Sequence, residues 1–262
     1  MSTEAAVNVS QLPLMGRNVV TIASGKGGVG KTWLAITLAH VLAKAGRRTL
    51  LFDGDLGLAN VDIQLGLMPK RDLASVIAGK LTLEQSVIDV TEVGFSVIAG
   101  RSGSGSLALL PQPRLIALRE QLLLLASSYD NVVIDMGAGV DRTVQTLPPP
   151  RGVCLVVTTD EPTALTDAYA FIKLTIADRP NTDIRVVINL AQTHGAGQKT
   201  YETLAKACRS FLKFEPPLAG IVRRDNKVRQ CIQQQKPLLM LYPNCDAATD
   251  VERLARSLIS PS

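Results

Sequence analysis

Apolar and polar positions follow two rhythms along this chain. Short, near-continuous runs of Val, Ile and Leu predict strands at 18–24, 48–53, 94–99, 131–136, 153–159, 184–190 and 218–222. Between them, apolar residues recur three and four positions apart, which predicts helices at 31–45, 72–79, 82–88, 113–127, 162–177, 197–212, 225–234 and 246–259. A strand that is apolar on both faces needs helices on both sides, the usual setting of a parallel sheet. The alternation therefore predicts an α/β fold: a doubly wound, mostly parallel sheet in a three-layer sandwich, with ligands at the carboxyl ends of the strands. Residues 1–17 are polar and turn-rich and read as a loose lead-in, with 18–262 as one domain. The triplet at Pro148, Pro149 and Pro150 reads as a rigid turn inside that domain, because the alternation continues across it.

Composition narrows the chemistry. A chain of 262 residues can bury a large core. Its net charge of +5, from 28 Lys and Arg against 23 Asp and Glu, is modest. It permits an acidic partner or nucleic acid, and it is equally ordinary for a solvated surface. Only 4% of residues are aromatic, too few for stacking platforms that hold single-stranded nucleic acid. Four cysteines, Cys154, Cys208, Cys231 and Cys245, form no C-x-x-C pair, which argues against a disulfide framework, a zinc site or a metal-cluster carrier. No basic-then-apolar leader and no bilayer-length apolar run is seen, so the expected location is the cytoplasm.

The segment GKGGVGKT, from Gly25 to Thr32, carries the sharpest chemistry. It matches the phosphate-binding pattern G-x-x-x-x-G-K-[ST], and it lies between an apolar strand and an apolar-periodic helix, as the motif requires. Glycines let backbone N–H groups close on phosphate oxygens at the positive end of a helix. Gly25, Gly27, Gly28, Val29, Gly30, Lys31, Thr32 and Trp33 form the expected nucleotide-binding set. Lys31 reaches the β- and γ-phosphates and the Thr32 hydroxyl meets Mg2+. A second segment, NVVIDMGAG, delivers Asp135 at the end of an apolar strand, the Walker-B arrangement for a carboxylate that reaches Mg2+ through water. Gly137 and Gly139 after it suit a switch that senses a γ-phosphate. The expected cofactors are ATP and Mg2+.

Lys26, early in the loop, goes beyond the general motif. The string KGGVGKT resembles the deviant phosphate loop of the MinD/ParA ATPases, which pair face to face over two ATP molecules. That resemblance implies an ATP-dependent homodimer in which Lys26 crosses to the partner's phosphates and acts with Lys31 on the transferring group. The stretch LFDGDLGLANVD resembles the MinD-type D-x-D-x-G-x-x-N-x-D. It implies that Asp55 positions the attacking water, that Asp53 supports the metal shell, and that Asn60 and Asp62 lie at the dimer interface. The wording EPTALTDAYA resembles the flagellar-number regulators of this class, the FlhG/FleN group, as does DNKVRQCIQQQKPLLMLYPNCDAATDVERLA further on. By the same analogy Asp167 lies at the dimer surface and Asn189 recognises adenine. Backbone around Val222, Arg223 and Asp225 closes over the base.

Three departures qualify the resemblance. Relatives commonly carry a proline after the seventh strand, where this chain has Val222, Arg223 and Arg224. MinD relatives often carry a proline where this chain has Gly137. The FlhG group often opens with a D-Q-A-x-x-L motif, and residues 1–17 hold no such string. The last helix carries Val251, Leu254, Ala255, Leu258 and Ile259 at core-facing spacing, which reads as a packed helix rather than a membrane anchor. The resemblance implies a slow ATPase, stimulated by a partner, that switches between monomer and dimer to control flagellar number or placement. The partner classes it implies are a transcription regulator or a signal-recognition-type GTPase, with a polar, membrane-side or nucleoid-side position. The alternative is a ParA-like protein that binds DNA non-specifically in its ATP dimer. Lys and Arg at 185, 199, 206, 209, 213, 223, 224, 227 and 229 would supply its basic face.

Overall fold

The structure, a computed structural model, describes residues 16–100 and 110–259. Eight strands form one sheet in the order β3-β4-β2-β5-β1-β6-β7-β8. They are β1 (Val19–Ser24), β2 (Thr49–Gly54), β3 (Ile88–Val90), β4 (Phe95–Ile98), β5 (Asn131–Ala138), β6 (Val153–Thr158), β7 (Asp183–Ala191) and β8 (Leu218–Arg223). All pairings are parallel except β3 with β4. The chain leaves β1 toward β2 on one side and reaches β6 on the other, so the topological switch lies at β1, where open α/β sheets place ligands.

Alternate strand residues feed two cores. Leu50, Phe52, Ile134, Val156 and Val186 face α4 (Gln112–Ala126), α6 (Pro162–Asp178) and α7 (His194–Leu212). Leu51, Val133, Leu155 and Val187 face α1 (Lys31–Lys44) and α10 (Asp246–Ile259). This is the three-layer arrangement the apolar runs predict. Val251, Leu254 and Ala255 of α10 are buried, and Leu258 and Ile259 pack partly against the same core. Among the described residues, no helix is long and apolar enough to cross a membrane.

The chain departs from the sequence pattern in short pieces. No helix spans 82–88. A single 3-10 turn occupies Glu84–Ser86, and the edge strand β3 follows. Thr82 and Gln85 exchange hydrogen bonds of 2.9 and 3.1 Å, a reciprocal cap that starts one turn. The β-branched Val87, Ile88 and Val90 then favour pairing with β4 over helix continuation. Three short helices, α2 (Val61–Leu65), α5 (Arg142–Thr146) and α9 (Leu238–Leu241), are too brief to show a period in sequence. The others are α3 (Leu73–Ile77) and α8 (Asn226–Gln234). Most of the expected lead-in, residues 1–15, lies outside the described residues. Gly16 is buried, with φ +95°, and its carbonyl accepts the Val19 N–H at 3.0 Å.

Candidate nucleotide site

β1 ends at Ser24 and α1 begins at Lys31, so the first six residues of the glycine-rich octet fill the turn between them and Lys31 and Thr32 open the helix. Two of the octet's glycines are required by space, and one of them by conformation as well. Gly30 caps α1 in the left-handed region, at φ +90°, and a Cβ there would lie 2.5 Å from the Asn189 amide. A Cβ on Gly25 would lie 2.1 Å from the Asp167 carbonyl oxygen, so the loop rests directly on α6. Gly27 and Gly28 are exposed at the mouth, and Val29 is buried beneath them. The loop opens into a cleft of about 540 Å3. Gly27, Gly28, Gly30, Lys31, Thr32 and Trp33 line one part of it, Asp55 and Asn60 another, and Gly137 and Asp141 a third.

Burial shifts the protonation equilibria of the charged groups in this cleft. Lys31 is 9% exposed, and its ammonium donates to Ser24 Oγ at 2.9 Å. Burial lowers its pKa from the ordinary lysine value, against the opposing pull of Asp135 and Asp55. Asp53 and Asp135 are register partners on β2 and β5 and both are buried. Burial and the charge of Asp135 push Asp53 up to about 8, although its carboxylate accepts the Asn60 and Val61 N–H groups at 3.1 Å. Burial likewise pushes Asp135 up to about 7, opposed by a hydrogen bond from Thr32 and by the Lys31 charge. One oxygen of Asp135, Oδ1, is buried with no hydrogen-bond partner among the described residues. A buried carboxylate oxygen without a donor, beside a threonine hydroxyl, is the donor set of a hard cation. Those residues fit Mg2+. Asp55 sits at the edge of this cluster, half-exposed, with Oδ1 accepting the Leu58 N–H at 2.9 Å and the Gly57 N–H at 3.3 Å.

Lys26 does not point into its own cleft. Its ammonium lies 2.6 Å from both Glu161 Oε1 and Thr163 Oγ1 at the start of α6. That contact holds the Glu161 carboxyl below its usual range. Asp167 is half-exposed one turn further along α6. Asn60 is exposed and its amide donates to the Leu58 carbonyl. Asp62 accepts the Ile63 N–H at 2.8 Å, and burial raises its pKa. Lys26, Asn60, Asp62 and Asp167 all belong to the loop, the segment after β2, and the helix beneath the loop.

None of the residues expected around adenine lines the phosphate cleft. Val222 is fully buried. The Arg223 guanidinium is paired with Asp250 and Asp246 at 2.8 Å. Asp225 caps α8 by accepting the Lys227 N–H at 2.9 Å. Asn189 is buried and donates from Nδ2 to the Val29 carbonyl at 2.7 Å, while its Oδ1 has no partner.

The comparisons agree with this geometry. Residues 20–238 match the family model described as the CobQ/CobB/MinD/ParA nucleotide binding domain. The chain belongs to that family. Within the family it is 36% identical to the antiactivator FleN of Pseudomonas aeruginosa over 242 residues, 92% of this chain and 86% of that one. It is 29% identical to the flagellum site-determining protein YlxH of Helicobacter pylori, covering 92% of this chain and 81% of the relative. In fold it resembles the septum site-determining protein MinD complexed with Mg-ADP from Pyrococcus horikoshii, with a TM-score of 0.77 at 23% identity, over 94% and 97% of the two chains. The family is a nucleotide-binding one, and the cleft at the phosphate-loop motif is the candidate nucleotide site.

Several residues of the site left little trace in the sequence. Ser24 receives the Lys31 ammonium and itself donates to the Lys26 carbonyl at 2.6 Å. Glu161 meets Lys26 from 135 positions away, a distance at which no spacing rule operates. Asp141 caps α5 by accepting the Val144 N–H at 3.0 Å, and the Asp-x-x-Val cap was the one local signal available.

Proposed function

We propose that this chain is a Mg-ATP-dependent ATPase that pairs with a second copy of itself when ATP is bound, and that the pairing controls flagellar number or placement. The observation that carries the reading is the buried, unpartnered Oδ1 of Asp135 beside Thr32 and Lys31 at the mouth of the phosphate loop. Thr32 and Asp135 would hold Mg2+, with Asp53 behind them. When bound, the metal supplies neutralising charge to the phosphate oxygens. Lys31 binds the same oxygens from the loop. Asp55, on the cleft, orients the attacking water, and little further covalent help is needed for phosphoryl transfer.

Lys26 supplies the link to pairing. In the single chain its ammonium is satisfied by Glu161 and Thr163 at an exposed site. A half-exposed ion pair of that kind is worth little net, so exchanging it for a partner's phosphate oxygens costs little. Hydrolysis returns Lys26 to Glu161 and the copies separate. A binding partner that recognises only the pair is then gated by the γ-phosphate. The flagellar assignment rests on the similarity to FleN and YlxH, and the partner classes it favours are a transcription regulator and a signal-recognition-type GTPase. Asn189 Oδ1 fits the exocyclic amine of adenine as an acceptor. A DNA-binding role is less supported. Arg185, Arg209 and Arg223 of its proposed basic face are engaged by Asp183, Glu215 and Asp250.

The test is solution mass by light scattering on Asp55→Ala, once with Mg-ATP and once with Mg-ADP. A dimer with ATP alone is the expected result. A monomer with both nucleotides would overturn the pairing, and a normal ATP dimer from Lys26→Ala would remove Lys26 from it.

A further inference from the structure

Two glycines follow Asp135, and they are glycines for different reasons. Gly139 has φ +97°, a conformation that side chains rarely adopt, and a Cβ there would meet nothing within 4 Å. Its backbone needs glycine. Gly137, the next-to-last residue of β5, is the reverse. Its φ lies outside the left-handed region, so any L-residue fits the backbone. What a Cβ would meet is the Asp55 carboxyl group, with Cγ and Oδ1 at 3.4 Å and Oδ2 at 3.6 Å, and these are its three nearest atoms. The space left empty at position 137 is the space beside the Asp55 carboxylate.

That carboxylate is turned toward its own loop. Oδ1 accepts the Leu58 and Gly57 N–H groups, while Oδ2 accepts no hydrogen bond among the described residues. Turning it from those amides toward a water in the cleft needs clearance around the carboxylate, and open space beside it lies over Gly137. We infer that Gly137 is a positioning residue for hydrolysis, leaving the clearance in which Asp55 swings from its loop amides to the attacking water. The inference rests on the proposed role of Asp55. A methyl group at 137 sits at ordinary van der Waals distance from the orientation seen, so it tolerates that orientation and obstructs the others. It removes water from one face of the carboxylate as well. The Asp55 carboxyl supplies the three atoms nearest to the added carbon, so the first effect of the change falls on Asp55.

The experiment compares the full chain with Gly137→Ala and Gly137→Ser in single-turnover and steady-state Mg-ATP hydrolysis. Nucleotide affinity is measured by titration, and amide hydrogen exchange at Leu58 is followed in the nucleotide-free protein. The expected result is a kcat roughly tenfold lower, with KM and nucleotide affinity within about twofold, the pattern of a lost transition-state interaction. Leu58 exchange slows, because Asp55 stays on that amide. In an Asp55→Ala background the Gly137→Ala change adds no further loss, because the group it acts through is gone. Unchanged turnover in both variants, or an additive loss on Asp55→Ala, overturns the inference. So does a fall in nucleotide affinity equal to the fall in kcat. If Asp55→Ala alone leaves turnover intact, the failure belongs to the reading of Asp55 itself.

Discussion

The phosphate end of the site and its adenine end use the same residue types and differ in what those residues have left to give. Around Gly25–Thr32, polar groups converge with unmet capacity: Asp135 Oδ1 has no donor, and Lys31 rests on a single hydroxyl. Around Val222–Asp225 the protein has already taken up that capacity. Arg223 is held by two carboxylates and Asp225 by helix caps. A binding site is marked by unsatisfied valence in a cleft, and residue identity alone does not show it.

The largest expected effect is at the adenine end, and it is structural. Asp250 is buried and receives Arg223 Nε at 2.8 Å, the Arg223 N–H at 3.0 Å and His194 Nε2 at 3.1 Å. Asp250→Ala leaves the Arg223 guanidinium without its main partner and costs about 3 kcal/mol of stability, read from denaturant unfolding. Affinity for free pyrophosphate, measured well below the unfolding midpoint, stays at its parent value. A stability loss near zero would mean that Arg223 is available to a nucleotide, which would erase the contrast.

Next in size is Lys31→Ala at the phosphate end. It removes a charge-assisted contact to phosphate and leaves Asp135 and Asp55 without a nearby cation. The expected loss is about 2–3 kcal/mol, roughly a hundredfold in nucleotide affinity by titration calorimetry. Folding stability changes little or rises, because a buried ammonium is removed. Equal losses in affinity and stability would make Lys31 a structural residue like Arg223.

This contrast also bounds what the sequence could say. The eight-residue loop and the Asp135 strand were legible because their chemistry is local: a turn, a helix end and a carboxylate at a strand terminus. The sheet was legible because buried parallel strands are apolar throughout. The edge strand β3 was not, since three residues after a capped turn carry no period, and pairing with β4 decides their conformation. At Val222–Asp225 the sequence shows which residues are present and says nothing of how their side chains are engaged. Whether Arg223 is free depends on Asp250, which lies 27 positions away. The Lys26–Glu161 contact was invisible on the same grounds, since the two residues lie 135 positions apart.

Next in magnitude is the pH response of the buried aspartate pair. Burial and the Asp135 charge push Asp53 from 3.8 up to about 8. Between those values the folded state binds more protons than the unfolded chain, so stability of the nucleotide-free protein falls as pH rises from about 4 through about 8. Asp53→Asn keeps an oxygen to accept the Asn60 and Val61 N–H groups and removes the titration. It should flatten that slope, by on the order of 2 kcal/mol across the window, in unfolding curves taken at several pH values. An unchanged slope would place the charge cost elsewhere and weaken the claim that the phosphate end is held under electrostatic strain.

The smallest effect tests the one residue that belongs to both ends. Asn189 props the loop through Nδ2 on the Val29 carbonyl, and it retains an unused acceptor in Oδ1. Its first role predicts that Asn189→Ala costs about 1 kcal/mol in stability, the usual worth of a buried hydrogen bond. Its second predicts a change in base preference. An acceptor favours adenine, whose exocyclic group donates, over guanine, whose corresponding group accepts. Loss of that acceptor should reduce the preference for ATP over GTP by about tenfold, or about 1.4 kcal/mol, in competition binding. Arg223→Ala should leave that preference unchanged, since its guanidinium is engaged by Asp250. If both variants lose the preference equally, the adenine end is a recognition surface that nucleotide binding rearranges. If neither does, base recognition lies outside the residues that resemblance points to, and Asn189 is a prop for the phosphate loop and nothing more.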